Sequence, residues 1–184
     1  MRPSIIGLAG FKGSGKSTLA REIPGPKVIL SFAAPIKLAL EAMGIPAEYL
    51  HNPELKDVRQ DILCGHSARH AMVTLGTEWG RNIMGPDFWV RIWRQKVQET
   101  PVGVTVIVDD VRFPGEVEAI RELGGFVVSI ERPGIRPPPP SAWKFWAERV
   151  HESESLRLVG PVIVNDGTPQ DLLEKFRAVY NRGT

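Results

Sequence analysis

The sequence predicts an α/β fold, a three-layer sandwich in which about five parallel strands carry helices on both faces. Three observations predict it: short apolar runs, helical patterns between successive runs, and proline or glycine where those helices begin or end. The apolar runs cover 4–9, 27–32, 103–109, 125–130 and 161–165. Parallel strands buried on both faces are apolar throughout, and joining them requires a crossover long enough for a helix. The alternation therefore predicts a parallel sheet whose ligands bind at the carboxyl ends of its strands.

The predicted helices have recognisable ends. They cover 17–22, 35–43, 67–84, 87–99, 114–123 and 169–181. Pro114 suits a first helical turn, and Gly124 directly follows the same helix. Thr168 is expected to cap the last helix, with Asp171 three residues later to complete the cap.

A glycine-rich segment joins the first strand to the first helix and fits the pattern G-x-x-x-x-G-K-[ST], reading GFKGSGKS from Gly10 to Ser17. Glycine permits backbone angles that let successive N–H groups turn inward around phosphate oxygens, and the helix N-terminus adds partial positive charge. Lys16 is expected to bind the β- and γ-phosphates, and Ser17 to bind Mg²⁺. The residues predicted to bind a nucleoside triphosphate here are Lys12, Gly13, Ser14, Gly15, Lys16, Ser17 and Thr18. The sequence therefore predicts a nucleoside triphosphate site.

Two segments exceed the strand–helix alternation, although the chain is expected to form a single domain, 1–184. One is a helical insertion at about 33–100, and the other is a lid at about 133–150. Small nucleotide kinases carry mobile excursions of this kind over the acceptor and the donor phosphates. The four prolines at 137–140 must be extended, so a proline-rich linker or peptide-docking segment is the alternative interpretation.

Polar residues follow the ends of the predicted strands. Asp110 is the first choice for a second contact to Mg²⁺, and Asp109 is the alternative. Arg112 suits a bidentate grip on phosphate, although an ion pair with Glu116 would also explain it. Asn165 follows the fifth strand, in a turn expected to lie under the adenine of the bound nucleotide.

Arginines after the fourth strand are candidates for stabilising charge on a transferred phosphoryl group. Arg132 ends that strand, Arg136 lies in the predicted lid, and Arg149 lies further along it, where a surface role is favoured. No second histidine or cysteine at ligand spacing accompanies His151, so no zinc site is expected.

The insertion carries a carboxylate, an indole and a guanidinium within four residues. Glu78 could read a base edge, Trp79 could stack on its ring and Arg81 could hold a phosphate. Trp89 could serve a base in the same way, but core packing explains it equally well. Lys37 is expected to face the cleft at the start of the insertion.

Composition excludes several classes of protein. A net charge of +2 and 24% charged residues give no excess for binding a polyanion, so no nucleic-acid partner is expected. The single cysteine, Cys64, excludes an internal disulfide and fits a reducing compartment. No apolar run reaches membrane-spanning length and the N-terminal run does not fit a signal peptide, so a soluble, cytoplasmic protein is expected. The oligomeric state is left open, with a homodimer as one option.

Seven segments in this order resemble the deoxynucleoside monophosphate kinases of bacteriophages and their bacterial relatives, within the P-loop nucleoside monophosphate kinase superfamily. They are GLAGFKGSGKST, SFAAPIK, LGTEWGR with the following DFWV, DVRFPGEVEAI, IERP, HESE and VNDGT. The resemblance covers nearly the whole chain, and GTEWGR, DVRFPGE and HESE together are more specific than the loop alone. It implies a P-loop nucleoside-kinase-like fold, ATP as donor with Mg²⁺, and a deoxynucleotide acceptor.

Carried onto this chain, the resemblance implies catalytic roles for Lys16, Arg112 and Arg132, with Arg132 as a transition-state arginine. Acceptor-binding candidates are Lys37, Glu78, Trp79, Arg81, Trp89, Asp110, Arg112, Glu116 and Glu154. Glu154 is expected to contact substrate or to order the lid. The chain departs from the family pattern at Gly115, where asparagine is expected in RFPNE, and the run Pro137–Pro140 is peculiar to this chain.

Three other functions were weighed against this one. A kinase of another small acceptor, such as dephospho-coenzyme A, shares the fold and the N-x-G-[ST] ending. A GTPase switch would need N-K-x-D and D-x-x-G motifs, which are not found in their expected places. A DNA-associated ATPase would need a basic face and a longer chain.

Overall fold

The computed structural model describes residues 4–135 and 160–183, the last two without their side chains. The strands are β1 (Ile5–Ala9), β2 (Lys27–Ile29), β3 (Arg59–Gln60), β4 (His66–Ser67), β5 (Thr105–Val111), β6 (Phe126–Glu131) and β7 (Val162–Val164). Five of them form one parallel sheet in the order β2-β5-β1-β6-β7, while β3 and β4 form a short antiparallel pair. The predicted α/β fold and all five predicted strands of the sheet are confirmed.

The helices alternate with the strands of this sheet. They are α1 (Lys16–Glu22), α2 (Ala34–Ala42), α3 (Ala47–His51), α4 (Ala68–Val73), α5 (Phe88–Glu99), α6 (Pro114–Glu122) and α7 (Pro169–Gly183). A 3₁₀ turn covers Asp61–Leu63, and a π-helix, Thr74–Met84, continues α4. The predicted cap of α7 is present, since the Thr168 N–H donates to Asp171 Oδ2 at 2.8 Å and the Asp171 N–H donates to Thr168 Oγ at 3.2 Å.

The chain divides into two compact units. The sheet unit comprises Met1–Ser31 and Lys96–Thr184, and the insertion unit comprises Phe32–Gln95. In the sheet unit, side chains of the strands pack with α1 and α7 on one face, where Leu19, Leu172 and Phe176 are buried. On the other face a Cβ at Gly7 would lie 2.8 Å from Ile120 Cδ1 of α6. The sheet is thus covered by helices on both faces.

The insertion unit has its own core. Its buried residues are Ile36, Leu40, Ile45, Leu50, Ala68 and Trp89. Phe32 and Trp93 add a ring contact with centroids 4.8 Å apart. These residues come from four helices and the chain before them, so each short helix is stabilised mainly by packing against the others.

The helix predicted over 67–84 is present but changes its geometry at Thr74. From there the winding widens to the π form, and the Gly85 N–H donates to the Gly80 carbonyl at 3.1 Å. A Cβ at Gly80 would lie only 2.2 Å from Trp89 Nε1, so the absence of a side chain lets the indole rest against the helix backbone. Such π segments are often found at functional sites.

Candidate nucleotide-binding site

The glycine-rich loop has the backbone geometry of a phosphate cradle. Gly10, Gly13 and Gly15 have φ values of 140°, 84° and 108°, which side chains of L-residues rarely adopt. A Cβ at Gly10 would lie 2.3 Å from the Ile130 carbonyl oxygen, which excludes every other residue type there. Lys12 and Gly13 are exposed on the outer turn. The backbone at Ile130 therefore packs against one side of the loop, while Lys12 and Gly13 on the other side are exposed to solvent.

Two side chains of this loop have a geometry suited to phosphate. The Lys16 ammonium donates to the carbonyl oxygens of Gly10 and Phe11 at 2.5 and 2.7 Å, which holds it over the loop. The Ser14 hydroxyl oxygen is buried and has no hydrogen-bond partner among the described residues. A buried polar atom of this kind calls for an explanation, and a bound oxyanion would supply one. Thr18 is half-buried in the first turn of α1.

Two serine hydroxyls converge on one carboxylate at the carboxyl ends of the strands. Ser17 Oγ donates to Asp109 Oδ2 at 2.9 Å, and Ser31 Oγ donates to Asp109 Oδ1 at 2.7 Å. This geometry favours Asp109, the alternative from sequence, over Asp110 as the acidic partner of Ser17. The reason is a bulge in β5: Gly7 pairs with Val108 but Ala9 pairs with Val111, and such an extra residue re-aims the side chains around it.

These oxygens fit a hard divalent cation such as Mg²⁺. A serine hydroxyl and a carboxylate are the donors that Mg²⁺ takes from a protein when phosphate oxygens and water complete its octahedron. Within 4–135 and 160–183 there is no group of three or more histidine, cysteine, aspartate or glutamate residues that could hold a metal by itself. The donor set present therefore matches a cation shared with a nucleotide.

Asn165 connects the last strand of the sheet to the loop. Its amide Nδ2 donates to the Ser14 carbonyl at 2.8 Å, and its backbone N–H donates to the Glu131 carbonyl at 2.7 Å. The residue is 8% exposed, and a Cβ at Gly15 would lie 2.4 Å from its Nδ2. The side chain therefore packs beneath the loop and holds the Ser14 carbonyl, a contact that sequence reasoning did not include. The position of Asn165 under the adenine stays a prediction.

Glu116 has a structural role that the sequence prediction did not include. It is 3% exposed, and its Oε2 accepts from the backbone N–H groups of Arg112 and Phe113 at 2.7 and 3.1 Å. These bonds form a capping arrangement at the start of α6. Glu116 thus fixes the backbone at Arg112, whose side chain is exposed directly after β5. Nothing lies within 4 Å of a Cβ built at Gly115, so the expected asparagine would also fit there.

Arg132 begins a turn that passes over the loop. The Ile135 N–H donates to the Arg132 carbonyl at 3.1 Å, and Ile135 Cδ1 lies 3.5 Å from a Cβ built at Gly13. Arg132 is exposed at the carboxyl end of β6. The predicted roles of Arg136, Arg149, His151 and Glu154, the run Pro137–Pro140 and most of the predicted lid lie outside the described residues.

In the insertion unit, the π-helix carries three of the predicted acceptor-binding residues. Glu78 and Trp79 are exposed, Trp79 by 40%. Arg81 is half-buried, and its Nη1 donates to the Gly76 carbonyl at 3.3 Å. Lys37 is half-buried on α2. These four side chains retain partial exposure that a ligand requires.

Trp89 is a core residue, which is the other interpretation that the sequence left open. It is 4% exposed, and its indole N–H donates to the Gly76 carbonyl at 2.7 Å. Its ring contacts those of Phe88 and Trp79, with centroids 4.8 and 6.1 Å away. Because Trp89 is enclosed and its N–H is used, Trp79 is the better of the two indoles for stacking on a base.

A histidine pair stands beside the π-helix. The rings of His66 and His70 stack with centroids 4.1 Å apart and planes inclined by 13°. Burial lowers the pKa of His70 and nearby His66 lowers it further, while the Glu78 carboxylate opposes the shift. His70 is therefore biased towards its neutral form and senses the charge at Glu78.

The fold and this site define the class of protein: a P-loop kinase, which transfers phosphoryl groups and binds nucleotides. The sequence model of the deoxynucleotide monophosphate kinase family matches residues 41–176. The chain belongs to that family, as the sequence resemblance predicted.

Other comparisons give a relative of similar sequence and solved structures of similar fold. The chain is 29% identical over 192 residues to a protein of Acanthamoeba polyphaga mimivirus described as "Putative deoxynucleotide monophosphate kinase", with 94% of this chain and 93% of that protein covered. Its fold is similar to that of TT1252 from Thermus thermophilus, at 20% identity, TM-score 0.51 and full coverage of both chains. A shikimate kinase from Bacteroides thetaiotaomicron matches at 13% identity and TM-score 0.50, with 97% and 98% of the two chains covered.

Among the described residues, no helix has the length and apolar character to span a bilayer.

Sequence reasoning also missed Ser31. A usable signal was present, because Ser31 is a polar residue within the apolar run 27–32, two residues after β2 ends. The carboxyl ends of parallel strands meet at one edge, so any hydroxyl or carboxylate that ends such a run is a site candidate.

Proposed function

We propose that this protein transfers the γ-phosphoryl group of ATP to a deoxynucleoside monophosphate, giving ADP and a deoxynucleoside diphosphate. The observation that carries the proposal is the phosphate loop with Ser17 hydrogen-bonded to Asp109 in a chain of this family. We place the reaction in the cytoplasm, that of the host if a phage encodes the protein.

Donor binding is assigned to the loop, with no general base required. The acceptor phosphate has a second pKa of about 6, so it is largely dianionic near neutral pH and already nucleophilic. Backbone N–H groups from Gly13 to Thr18 would bind the β- and γ-phosphates, and Lys16 would leave its two carbonyl partners to neutralise the transferring group. Mg²⁺, held by Ser17 with Asp109 behind it, would neutralise charge on the phosphate oxygens.

Arg112 and Arg132 are proposed to stabilise the charge of the transition state. Both are exposed directly after β5 and β6, the two strands that flank β1 in the sheet, where an arginine can turn towards phosphate. Glu116 supports Arg112 through its backbone and is not proposed to touch the acceptor.

Acceptor recognition is assigned to side chains of the insertion unit. Glu78 is proposed to read the edge of the base, Trp79 to stack on its ring, and Lys37 and Arg81 to bind its phosphate. A few exposed side chains of this kind would decide which base is accepted.

The direct test measures ADP formation from Mg-ATP with dGMP, dTMP, dCMP and dAMP, each beside its ribonucleotide counterpart and a blank without acceptor. Turnover confined to one or a few deoxynucleotides is the expected result. Turnover with none of them would contradict the proposal, and activity with dephospho-coenzyme A instead would support the other kinase considered.

A further inference from the structure

We infer that Ser31 is a positioning residue for the divalent cation, acting through Asp109. The inference rests on the ATP–magnesium part of the proposed function and goes beyond it, since Ser31 touches neither cation nor nucleotide in this role. It assigns a task to a side chain in the segment that follows β2, rather than in the phosphate loop or in β5.

Both carboxylate oxygens of Asp109 accept a hydrogen bond from a serine. Ser17 Oγ donates to Oδ2 and Ser31 Oγ donates to Oδ1, at 2.9 and 2.7 Å. Two charge-assisted hydrogen bonds from opposite sides fix the plane of the carboxylate, which a single bond would leave free to rotate. Asp109 is half-buried at the bulge of β5.

The orientation of Asp109 in turn decides what Ser17 can do. A serine hydroxyl has one proton and two lone pairs. While Asp109 accepts that proton, the lone pairs of Ser17 Oγ are directed elsewhere and can bind a cation. Ser31 thus orients Asp109, which in turn orients the Ser17 hydroxyl that would bind the cation. Residues that orient a metal ligand in this way strongly affect metal affinity.

The backbone holds Ser31 at this position. The Leu30 N–H donates to the Ile107 carbonyl at 2.9 Å, which continues the β2–β5 pairing one residue beyond the strand. Lys27, Val28 and Ile29 pair in register with Thr105, Val106 and Ile107 of β5. Ser31 and Asp109 therefore each lie two residues beyond a pair of this ladder, which brings the hydroxyl to the carboxylate without strain.

The test measures Mn²⁺ binding by the electron paramagnetic resonance signal of free Mn²⁺, in the presence of a non-hydrolysable ATP analogue. Ser31→Ala is expected to weaken Mn²⁺ binding by about 10-fold. Ser31→Thr, which keeps the hydroxyl, is expected to restore most of the affinity. Binding of the same analogue in EDTA should be equal for the wild type and Ser31→Ala, because the loop itself is unchanged.

Thr100→Val is the matched control. Thr100 Oγ1 donates to the Lys96 carbonyl at 3.1 Å, and the residue precedes the amino end of β5, so this variant loses one hydroxyl at the other edge of the sheet. Its Mn²⁺ affinity should equal that of the wild type.

Unchanged Mn²⁺ affinity in Ser31→Ala would overturn the inference. So would equal losses with and without metal, which would mean that Ser31 supports the loop or the nucleotide rather than the cation. Absence of Mn²⁺ binding by the wild type would overturn it as well. The acceptor screen is independent of these results: a protein that phosphorylates no deoxynucleotide but shows the Ser31 effect would refute the proposed function and leave this inference standing.

Discussion

The two units of this protein present different kinds of candidate binding groups, backbone groups in one and side chains in the other. In the sheet unit, the phosphate loop is defined by its backbone: three glycines with positive φ, a carbonyl 2.3 Å from the place of a missing Cβ, and an asparagine bonded underneath. In the insertion unit, the candidate groups are partly exposed side chains on a widened helix. In the proposed function, recognition of triphosphate would therefore depend on main-chain geometry, whereas recognition of the acceptor would depend on side chains.

The largest expected effect on activity comes from removing the positive charge of the Lys16 ammonium, which the loop carbonyls hold. Lys16→Met should lower kcat/KM by a factor on the order of 10³, because the ammonium proposed to contact the transferring phosphoryl group is lost. Steady-state kinetics with saturating Mg²⁺ would measure it. Lys96→Met, which removes an exposed ammonium paired with Glu99, should leave kcat/KM unchanged. A loss below 10-fold in Lys16→Met would remove Lys16 from the catalytic set.

A smaller loss is expected when the support beneath the loop is changed. Asn165→Asp replaces the donor to the Ser14 carbonyl with a carboxylate that repels it, in a residue only 8% exposed. ATP affinity should fall by roughly 10- to 100-fold, because a buried polar group is left facing another acceptor. Isothermal titration with ATP and with adenosine separates the two interpretations of Asn165. A loss of affinity for ATP alone would indicate that Asn165 supports the phosphate loop. Equal losses of affinity for ATP and adenosine would indicate that it binds the adenine.

Stability rather than chemistry should respond to a change in the backbone of the insertion unit. Gly80→Ala places a Cβ 2.2 Å from Trp89 Nε1, and overpacking of this kind costs about 1–3 kcal/mol in the free energy of unfolding. Urea denaturation followed by tryptophan fluorescence would detect it. Gly115→Ala is the matched control, since nothing lies within 4 Å of its new Cβ and alanine favours the helix. Equal stability of the two variants would show that the indole does not need Gly80.

The smallest effects concern the histidine pair. His66→Gln should raise the pKa of His70, because one of the causes that lower it is removed, and Glu78→Gln should lower that pKa further. Titration of the imidazole ring protons by NMR measures both. Shifts of the same sign in the two variants would contradict the arrangement.

The sign of the pH dependence follows from the same group. A folded-state pKa below the unfolded-state value means that protonation of His70 favours unfolding. Its contribution to the free energy of unfolding should therefore fall as the pH drops through the unfolded and then the folded pKa of His70. A His70→Gln variant should lose this part of the pH dependence.

The sequence predicted the sheet well because strands buried on both faces leave continuous apolar runs, and it predicted the phosphate loop because glycine is required at defined positions. It did not predict the π-helix, nor the packing of Trp89 against Gly80 of that helix, which is a contact between separate elements. It ranked Asp110 above Asp109, but two neighbouring carboxylates are hard to distinguish in a sequence. The bulge at which Asp109 meets Ser17 is visible only in the pairing of β5 with β1. The local sequence gives the type of each residue, but the orientation of its side chain depends on contacts with residues far along the chain.

The bond between Asn165 and Ser14 joins residues 151 positions apart. A contact of that sequence separation cannot form during synthesis until residue 165 has left the ribosome, although domains begin to fold as their chain is synthesised. The nascent protein can therefore complete its first strand and loop early and still lack the support on which the loop rests. In the proposed function, full affinity for ATP would therefore require residue 165 to have been synthesised, and the nucleotide would stabilise chains that contain Asn165 over shorter ones.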